Sequence, residues 1–255
     1  GDILLAPSLN IQRNPLNGRN FEYYSEDPML SGYMAAAATQ GLQSRGVGAT
    51  VKHFAANNQQ TMRMFNDSRV SQRALREIYL RGFEVAIREG HPWAVMSSYN
   101  RINGLHTQFS RPLLTDLLRG EWHFNGIVMT DWVESRNTPV QVHAGNDLLM
   151  GGTPQQVQEI LDNVKSGRLS MTDVNTNVAR VLRYIMRTPH FRRHVGSYQP
   201  DLKSHAQLSR EAASEGVVLL KNALPAHFVA TDVQGQSALP LPLRSDDRVA
   251  LFGVG

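Results

Sequence analysis

The sequence of 255 residues contains no cysteine and no long hydrophobic run. The lack of cysteine excludes a disulfide scaffold, a thiolate nucleophile, a cysteine-ligated zinc site and an iron–sulfur cluster in these residues. A membrane-spanning helix needs roughly 18 consecutive apolar residues, so we predict no membrane partner. The chain starts at Gly1 without a charged-then-apolar leader, and we expect a fragment or a processed product. Secreted, periplasmic and cytoplasmic locations all remain open.

A strong excess of one charge is also missing. The 26 Lys and Arg residues against 22 Asp and Glu residues give a net charge of +4. The cations are dispersed along the chain, and the densest spot is Phe191-Arg192-Arg193. A nucleic-acid-binding surface needs clustered cations, so we predict no nucleic-acid partner. The 41% of apolar residues suffices for a full-sized globular core.

Short continuous apolar runs alternate with long segments of helical periodicity. The runs, which predict parallel strands buried on both faces, are residues 2–9, 47–54, 93–99, 126–130 and 148–150. The predicted helices are residues 28–43, 71–88, 112–122, 155–165 and 172–186. This alternation allows an open doubly wound sheet or a closed barrel. The sequence lacks a glycine-rich phosphate turn after a strand, which favours the barrel.

A (β/α)8 TIM-type barrel of about 250 residues averages about 31 residues per repeat. Five strands in the first 200 residues therefore predict most of such a barrel with its first repeats missing. Polar residues follow four of the runs: Asn10 to Arg13 and on to Arg19, Lys52-His53, Tyr99-Asn100, and Asp131. Active sites of these barrels lie where the carboxyl ends of the strands converge. The pattern predicts a polar pocket whose side chains include an anionic group and several hydrogen-bond donors.

Each of these residues also has a simpler interpretation. Asp131 could cap the next helix, and Arg19 and Arg63 could form surface ion pairs. Tyr99 and Trp132 could serve only packing. It is the joint pattern that favours a functional site.

Five motifs, in this order and spacing, resemble those of glycoside hydrolase family 3 β-glucosidases over nearly the whole chain. They are NPLNGRNFE at 14–22 with SEDP at 25–28, VKHF at 51–54, MSSYN at 96–100 with NG at 103–104, GIVMTDW at 126–132, and AGND at 144–147. The resemblance implies a retaining, exo-acting β-glucosidase that acts on a small-molecule β-glucoside or oligosaccharide. It also implies three parts of the chain. The barrel occupies residues 1–195, and a linker with a helix occupies residues 196–216. The start of an α/β sandwich domain occupies residues 217–255, with a first strand at 217–221.

The resemblance assigns roles to individual residues. Asp131 would be the nucleophile, and Trp132 would pack beside the sugar ring. Met96 and Tyr99 would line the innermost subsite. The hydroxyl-binding donors would be Arg19, Lys52, His53 and Arg63. We expect the nearby cations to favour the charged form of Asp131.

The acid/base residue is not evident. Glu134 lies three residues from Asp131 and cannot readily reach the opposite side of the glycosidic bond. Glu22 and Glu26 are interpreted as structural. In three-domain members of the family the acid comes from the second domain. We therefore expect the given 255 residues to pack against further parts of their own polypeptide or against a second chain. The family branch that acts on N-acetylglucosaminides has a His–Asp dyad after Lys-His-Phe. This chain has AANNQQ at 55–60 instead, so we do not expect it to belong to that branch.

Other functions remain as alternatives. The same site could belong to a β-xylosidase or another β-glycosidase of the family, or to a non-catalytic carbohydrate-binding barrel. Lys52 could form a Schiff base in a barrel lyase or aldolase. His190 and His194 have the i, i+4 spacing of metal ligands but no accompanying Glu, so a solvated pair is favoured. We predict no metal and no organic cofactor.

Overall fold

The structure is a computed structural model that describes residues 1–132, 137–193, 197–222, 239–240, 245–246, 248 and 250. The chain divides into two compact units, Gly1–Gly196 and Ser197–Gly255. The assignment of residues 1–195, 196–216 and 217–255 to a barrel, a linker and a second domain stays a prediction. Within the described ranges, no helix combines the length and the apolar character needed to cross a membrane.

A parallel sheet forms the centre of the first unit. The strands are β1 (Ile3–Leu4), β2 (Gly48–Phe54), β3 (Asp67–Ser68), β4 (Ala94–Ser97), β5 (Arg101–Ile102), β6 (Leu105–His106) and β7 (Ile127–Thr130). Strands β1, β2, β4 and β7 are neighbours in that order and all parallel, whereas β3, β5 and β6 form a small separate sheet. The parallel sheet predicted from the apolar runs is thereby confirmed.

Helices lie between the parallel strands and after the last of them. They are α1 (Pro28–Ser44), α2 (Gln72–Ala74), α3 (Arg81–Gly90), α4 (Thr138–Ala144), α5 (Pro154–Lys165) and α6 (Met171–Ile185), with π-helical segments at Leu75–Tyr79 and Pro112–Glu121. Side-chain caps fix several starts: Asp27 accepts the backbone N–H of Met29, and Thr153 forms a capping box with Gln156.

Three segments differ from the sequence prediction. Residues 2–9 pair as a strand only at Ile3–Leu4, with an isolated bridge from Ser8 to Lys52, because Pro7 cannot donate to the ladder. Residues 148–150 contribute one bridge, between Leu148 and Met129. Helix α4 was not predicted, since its seven residues are too few to show a period.

The sheet is covered on both faces, as its continuous apolar runs predict. Val51, Val95 and Val128 pack on one face against a helical layer that includes Phe83 and Leu114. The opposite face contributes residues to a second cluster, Trp93, Ala94, Met96, Ile127, Met129 and Tyr184. This double burial fixes the positions of the strand ends.

A buried ion-pair network holds the end of the sheet at β7. The Asp147 carboxylate has no solvent exposure and lies 2.5 Å from an Arg119 nitrogen and 3.1 Å from Arg180 Nη1. It also accepts the backbone N–H of Val128 at 2.8 Å. Gly145, two residues before Asp147, ends α4 with a φ of +108°, a left-handed conformation that favours glycine.

The second unit contains α7 (Leu202–Gly216), whose first turn is capped by Asp201. The predicted strand at 217–221 is not formed within the described part of this unit. Val217, Val218, Leu219 and Leu220 are exposed there, and a strand needs a neighbour to complete its hydrogen bonds. Most of the predicted loop at 224–247 lies outside the described residues.

We predict that Asp147→Asn lowers the free energy of unfolding by about 3 kcal/mol or more, because it leaves the buried Arg119 cation without its carboxylate. Urea titration followed by circular dichroism measures the effect. The control is Asp116→Asn, the same substitution at an exposed position, with an expected change within about 0.5 kcal/mol. Equal stability of the two variants would contradict a structural role for this network.

Candidate functional site

The carboxyl ends of β2, β4 and β7 meet at one edge of the sheet. Ser97 at the end of β4 is paired with both Phe54 and Thr130. The backbone N–H of Asp131 donates to the Ser97 carbonyl at 3.1 Å, which links the ends of β4 and β7. The register thus brings Lys52, His53 and Asp131 to the same edge, as the sequence predicted.

The Asp131 carboxylate is buried and asymmetric. The residue is 5% exposed, and its Oδ1 accepts the backbone N–H of Trp132 at 2.8 Å. Its Oδ2 is buried and has no hydrogen-bond partner within the described residues. The Nε2 atom of His53 lies 3.8 Å from Oδ2, beyond hydrogen-bond distance. One oxygen is therefore anchored by the backbone, and the other is not anchored in this way within the described part of the chain.

Burial raises the pKa of Asp131 above its ordinary value. The Trp132 N–H, the Tyr99 hydroxyl and the guanidinium groups of Arg19 and Arg63 act in the opposite direction but are outweighed. The expected effect of the cations is thus present for two arginines, while desolvation determines the net direction.

The His53 imidazole is neutral. It is 1% exposed, and burial, helped by Arg19, Lys52 and Arg63, lowers its pKa well below the usual value. A neutral imidazole carries one N–H donor, and Nδ1 has no partner within the described residues. The backbone of His53 is fixed by Asn10, whose amide accepts the His53 N–H and donates to the His53 carbonyl, both at 2.9 Å.

The three predicted cations converge on this edge but are held in different ways. Arg19 and Lys52 share the carboxylate of Glu22: Arg19 Nε contacts Oε1, and Lys52 Nζ lies 3.7 Å from Oε2. The guanidinium of Arg63 lies 4.6 Å from the centroid of the Tyr99 ring and donates to Gln60 Oε1 at 3.2 Å. A cation over an aromatic face is attracted by the ring quadrupole.

The remaining predicted residues occupy three environments. Tyr99 is buried, and burial together with the Asp131 carboxylate raises its pKa to about 12. Trp132 is 48% exposed, as a residue at the rim would be. Met96 is 1% exposed and belongs to the apolar cluster with Met129, so its role as a lining residue stays a prediction.

Two polar residues support the site without having been assigned a role from sequence. For Asn10 the sequence predicts only a polar residue at the end of the apolar run 2–9. Ser97 donates through Oγ to Asn146 Oδ1 at 2.9 Å, which ties the strand end beside Asp131 to the AGND motif. Glu22, interpreted as structural, lies three residues after Arg19, and this spacing was the available signal for its ion pair.

The described residues contain no group of three or more His, Asp or Glu side chains arranged to hold a metal ion. His194 of the predicted histidine pair and Glu134 both lie outside the described residues.

Comparison with known proteins places these observations in a family. Residues 2–184 match the glycosyl hydrolase family 3 N-terminal domain. The chain is 43% identical over 252 residues to thermostable beta-glucosidase B of Acetivibrio thermocellus, covering 98% of this chain and 31% of the relative. It is 42% identical over 241 residues to an exo-alpha-(1->6)-L-arabinopyranosidase of Bifidobacterium breve, covering 93% and 31%.

Solved structures agree with the predicted fold. Beta-glucosidase 3B of Thermotoga neapolitana in complex with glucose superimposes with a TM-score of 0.84 at 51% identity, over 88% of this chain and 33% of that one. The chain therefore spans about a third of the length of the proteins it matches. The four parallel strands β1, β2, β4 and β7 belong to a fold of the TIM-barrel type.

We predict that Asn10→Ala lowers the free energy of unfolding by about 2 kcal/mol or more, because it leaves a buried N–H and a buried carbonyl of His53 unpaired. Thermal and urea unfolding measure the loss. The control is Asn175→Ala on the exposed side of α6, expected to stay within about 0.5 kcal/mol. A loss no greater than that of the control would show that the Asn10 amide is dispensable.

Proposed function

Because the chain belongs to glycosyl hydrolase family 3, we propose that the protein hydrolyses terminal non-reducing β-D-glucosides with retention of configuration. The observation that carries the proposal is the Asp131 carboxylate, buried beside Arg19, Arg63 and His53, with one oxygen that has no hydrogen-bond partner within the described residues. A nucleophile needs such a free oxygen in a site from which water is largely excluded.

In the proposed reaction, Asp131 Oδ2 attacks the anomeric carbon as the glycosidic C–O bond breaks. An acid donates its proton to the departing oxygen, and the sugar is left as an ester on Asp131. In the second step, the residue that acted as the acid removes a proton from water. This water attacks the anomeric carbon and releases both the sugar and the free Asp131 carboxylate. The Trp132 N–H at Oδ1 supports this cycle, because it holds the carboxylate in one orientation throughout.

The cationic groups bind the hydroxyls of the sugar in this proposal. Arg19, Lys52 and Arg63 carry donors whose hydrogen bonds to hydroxyls are charge-assisted, and these are stronger than neutral ones. Neutral His53 adds one N–H donor that does not need to be protonated first. The half-exposed indole of Trp132 offers an apolar surface for the ring of a pyranose.

The acid/base residue is not assigned to a described residue. Glu22 already contacts Arg19 and Lys52, so it is unsuited to deliver a proton to a leaving group. We propose, as the family resemblance implies, that the acid comes from a second domain or another part of the polypeptide. Assays therefore need the full-length protein.

A second substrate class is favoured by one finding, the 42% identity to an exo-alpha-(1->6)-L-arabinopyranosidase. A panel of aryl β-D-glucoside, β-D-xyloside and α-L-arabinopyranoside, with the configuration of the released sugar followed by NMR, separates these glycosidases. Sugar binding without release would identify a carbohydrate-binding barrel, and borohydride trapping at Lys52 would identify a Schiff-base enzyme.

We predict that Asp131→Asn lowers kcat about 10⁴-fold or more, since it removes the nucleophile. A 2-deoxy-2-fluoro-glucoside should label the wild-type protein at Asp131, which peptide mass spectrometry would detect. The control is Asp116→Asn at an exposed position, which should retain full activity. Wild-type turnover by the Asp131→Asn protein would refute the assignment.

The pH dependence of kcat/KM gives a separate prediction. Because burial raises the pKa of Asp131, activity should fall on acidification at a higher pH than an ordinary aspartate would give. Arg63 lowers that pKa. Arg63→Met should therefore raise the pKa of Asp131 and move the acidic limb of the profile to higher pH. The control is Arg183→Met on the exposed side of α6. An unchanged limb in Arg63→Met would show that Arg63 does not act on the nucleophile.

A further inference from the structure

We propose that Glu22 is a positioning residue, which holds Arg19 and Lys52 side by side as a pair of sugar-binding donors; this inference rests on the proposed function. Both cations form ion pairs with the same carboxylate. Arg19 contacts its Oε1, and Lys52 Nζ lies 3.7 Å from its Oε2. All three side chains are mostly buried, with 16 to 20% of each exposed. Partial burial reduces the solvent screening of these charges.

The position of Glu22 is set by two local structures. A single 3₁₀ turn, Asn20–Glu22, follows Arg19 and brings the two side chains together at i, i+3. On its other side, Ser8 Oγ donates to Glu22 Oε2 at 2.9 Å. Ser8 is bridged to Lys52 in the parallel sheet. The carboxylate is therefore fixed between the loop that carries Arg19 and the strand that carries Lys52.

The physical need for Glu22 follows from the charges of its two partners. A guanidinium and an ammonium group in one partly buried site repel each other, and without an anion between them they would separate. The Glu22 carboxylate offsets this repulsion: it accepts a hydrogen bond from Arg19 Nε and forms an ion pair with Lys52 Nζ at 3.7 Å. Both cationic groups are thereby held near each other, which is the condition for binding adjacent hydroxyls of one sugar.

Arg63 provides an internal contrast. It contributes to the same electrostatic environment, since it lowers the pKa of His53 as Arg19 and Lys52 do. Its described contacts are the Tyr99 ring and the Gln60 amide. Glu22 should therefore matter for Arg19 and Lys52 but not for Arg63, and this difference can be measured.

The test uses the full-length protein with aryl β-D-glucoside hydrolysis and calorimetric titration of glucose. We expect Glu22→Gln to lower kcat/KM about 10- to 100-fold, as misplacement of binding groups does, and to weaken glucose binding. The matched control is Glu26→Gln, the same substitution at an exposed position four residues along the chain, which should change neither quantity.

A double-mutant cycle separates positioning from a general structural effect. In a Lys52→Met, Arg19→Met background, Glu22→Gln should cause less than a twofold further loss, whereas in an Arg63→Met background it should keep its full effect. Equal losses in both backgrounds, or a Glu22→Gln protein within twofold of wild type, would overturn the proposal.

Ser8→Ala is a second variant that keeps every charge and removes one hydrogen bond to Glu22. It should lower kcat/KM about 2- to 10-fold, and this effect should vanish in the Glu22→Gln background; an undiminished effect there would count against the proposal. Failure of the proposed function has a different signature, a wild-type protein that neither hydrolyses a glycoside nor binds glucose. That result would overturn the role of Glu22 as well.

Discussion

Burial of the Asp131 carboxylate is the constraint to which the other groups at the strand ends respond. Removing a carboxylate from water disfavours its charged form, and here this effect exceeds the stabilisation by Arg19, Arg63 and the Trp132 N–H. The same burial keeps water from Oδ2, which has no hydrogen-bond partner within the described residues. The carboxylate proposed as the nucleophile is therefore desolvated, and the groups around it offset this effect only in part.

The charges around Asp131 are divided between two carboxylates. Among the described residues, three cations meet Asp131 and Glu22, which gives one more cation than anions when both carboxylates are charged. Glu22 contacts two of the cations, and Arg63 is held instead by an aromatic ring. Because His53 stays neutral, it adds a hydrogen-bond group without adding to the repulsion among the cations.

The sequence was informative where regular structure determines position. Continuous apolar runs predicted the parallel strands, and the polar residues that follow them predicted which side chains would meet. The contacts of Glu22 could not be obtained in this way, because they depend on a single 3₁₀ turn and on the conformation of the loop that contains Arg19. The two-residue strands of the small sheet carry too few residues for a periodic signal.

The motifs that carried the family resemblance divide into two kinds once their contacts are known. The motif before Glu22 contains Arg19, and the motif at the end of β2 contains Lys52 and His53, so both bring polar groups to the strand ends. AGND at 144–147 instead supports the sheet. In that motif, Asn146 accepts from Ser97 Oγ, and the Ser97 carbonyl accepts the N–H of Asp131. Asp147 accepts the N–H of Val128 within the strand that leads to the proposed nucleophile. These contacts of AGND thus fix the position of β7 and of Asp131, and none of them reaches Arg19, Lys52 or Arg63.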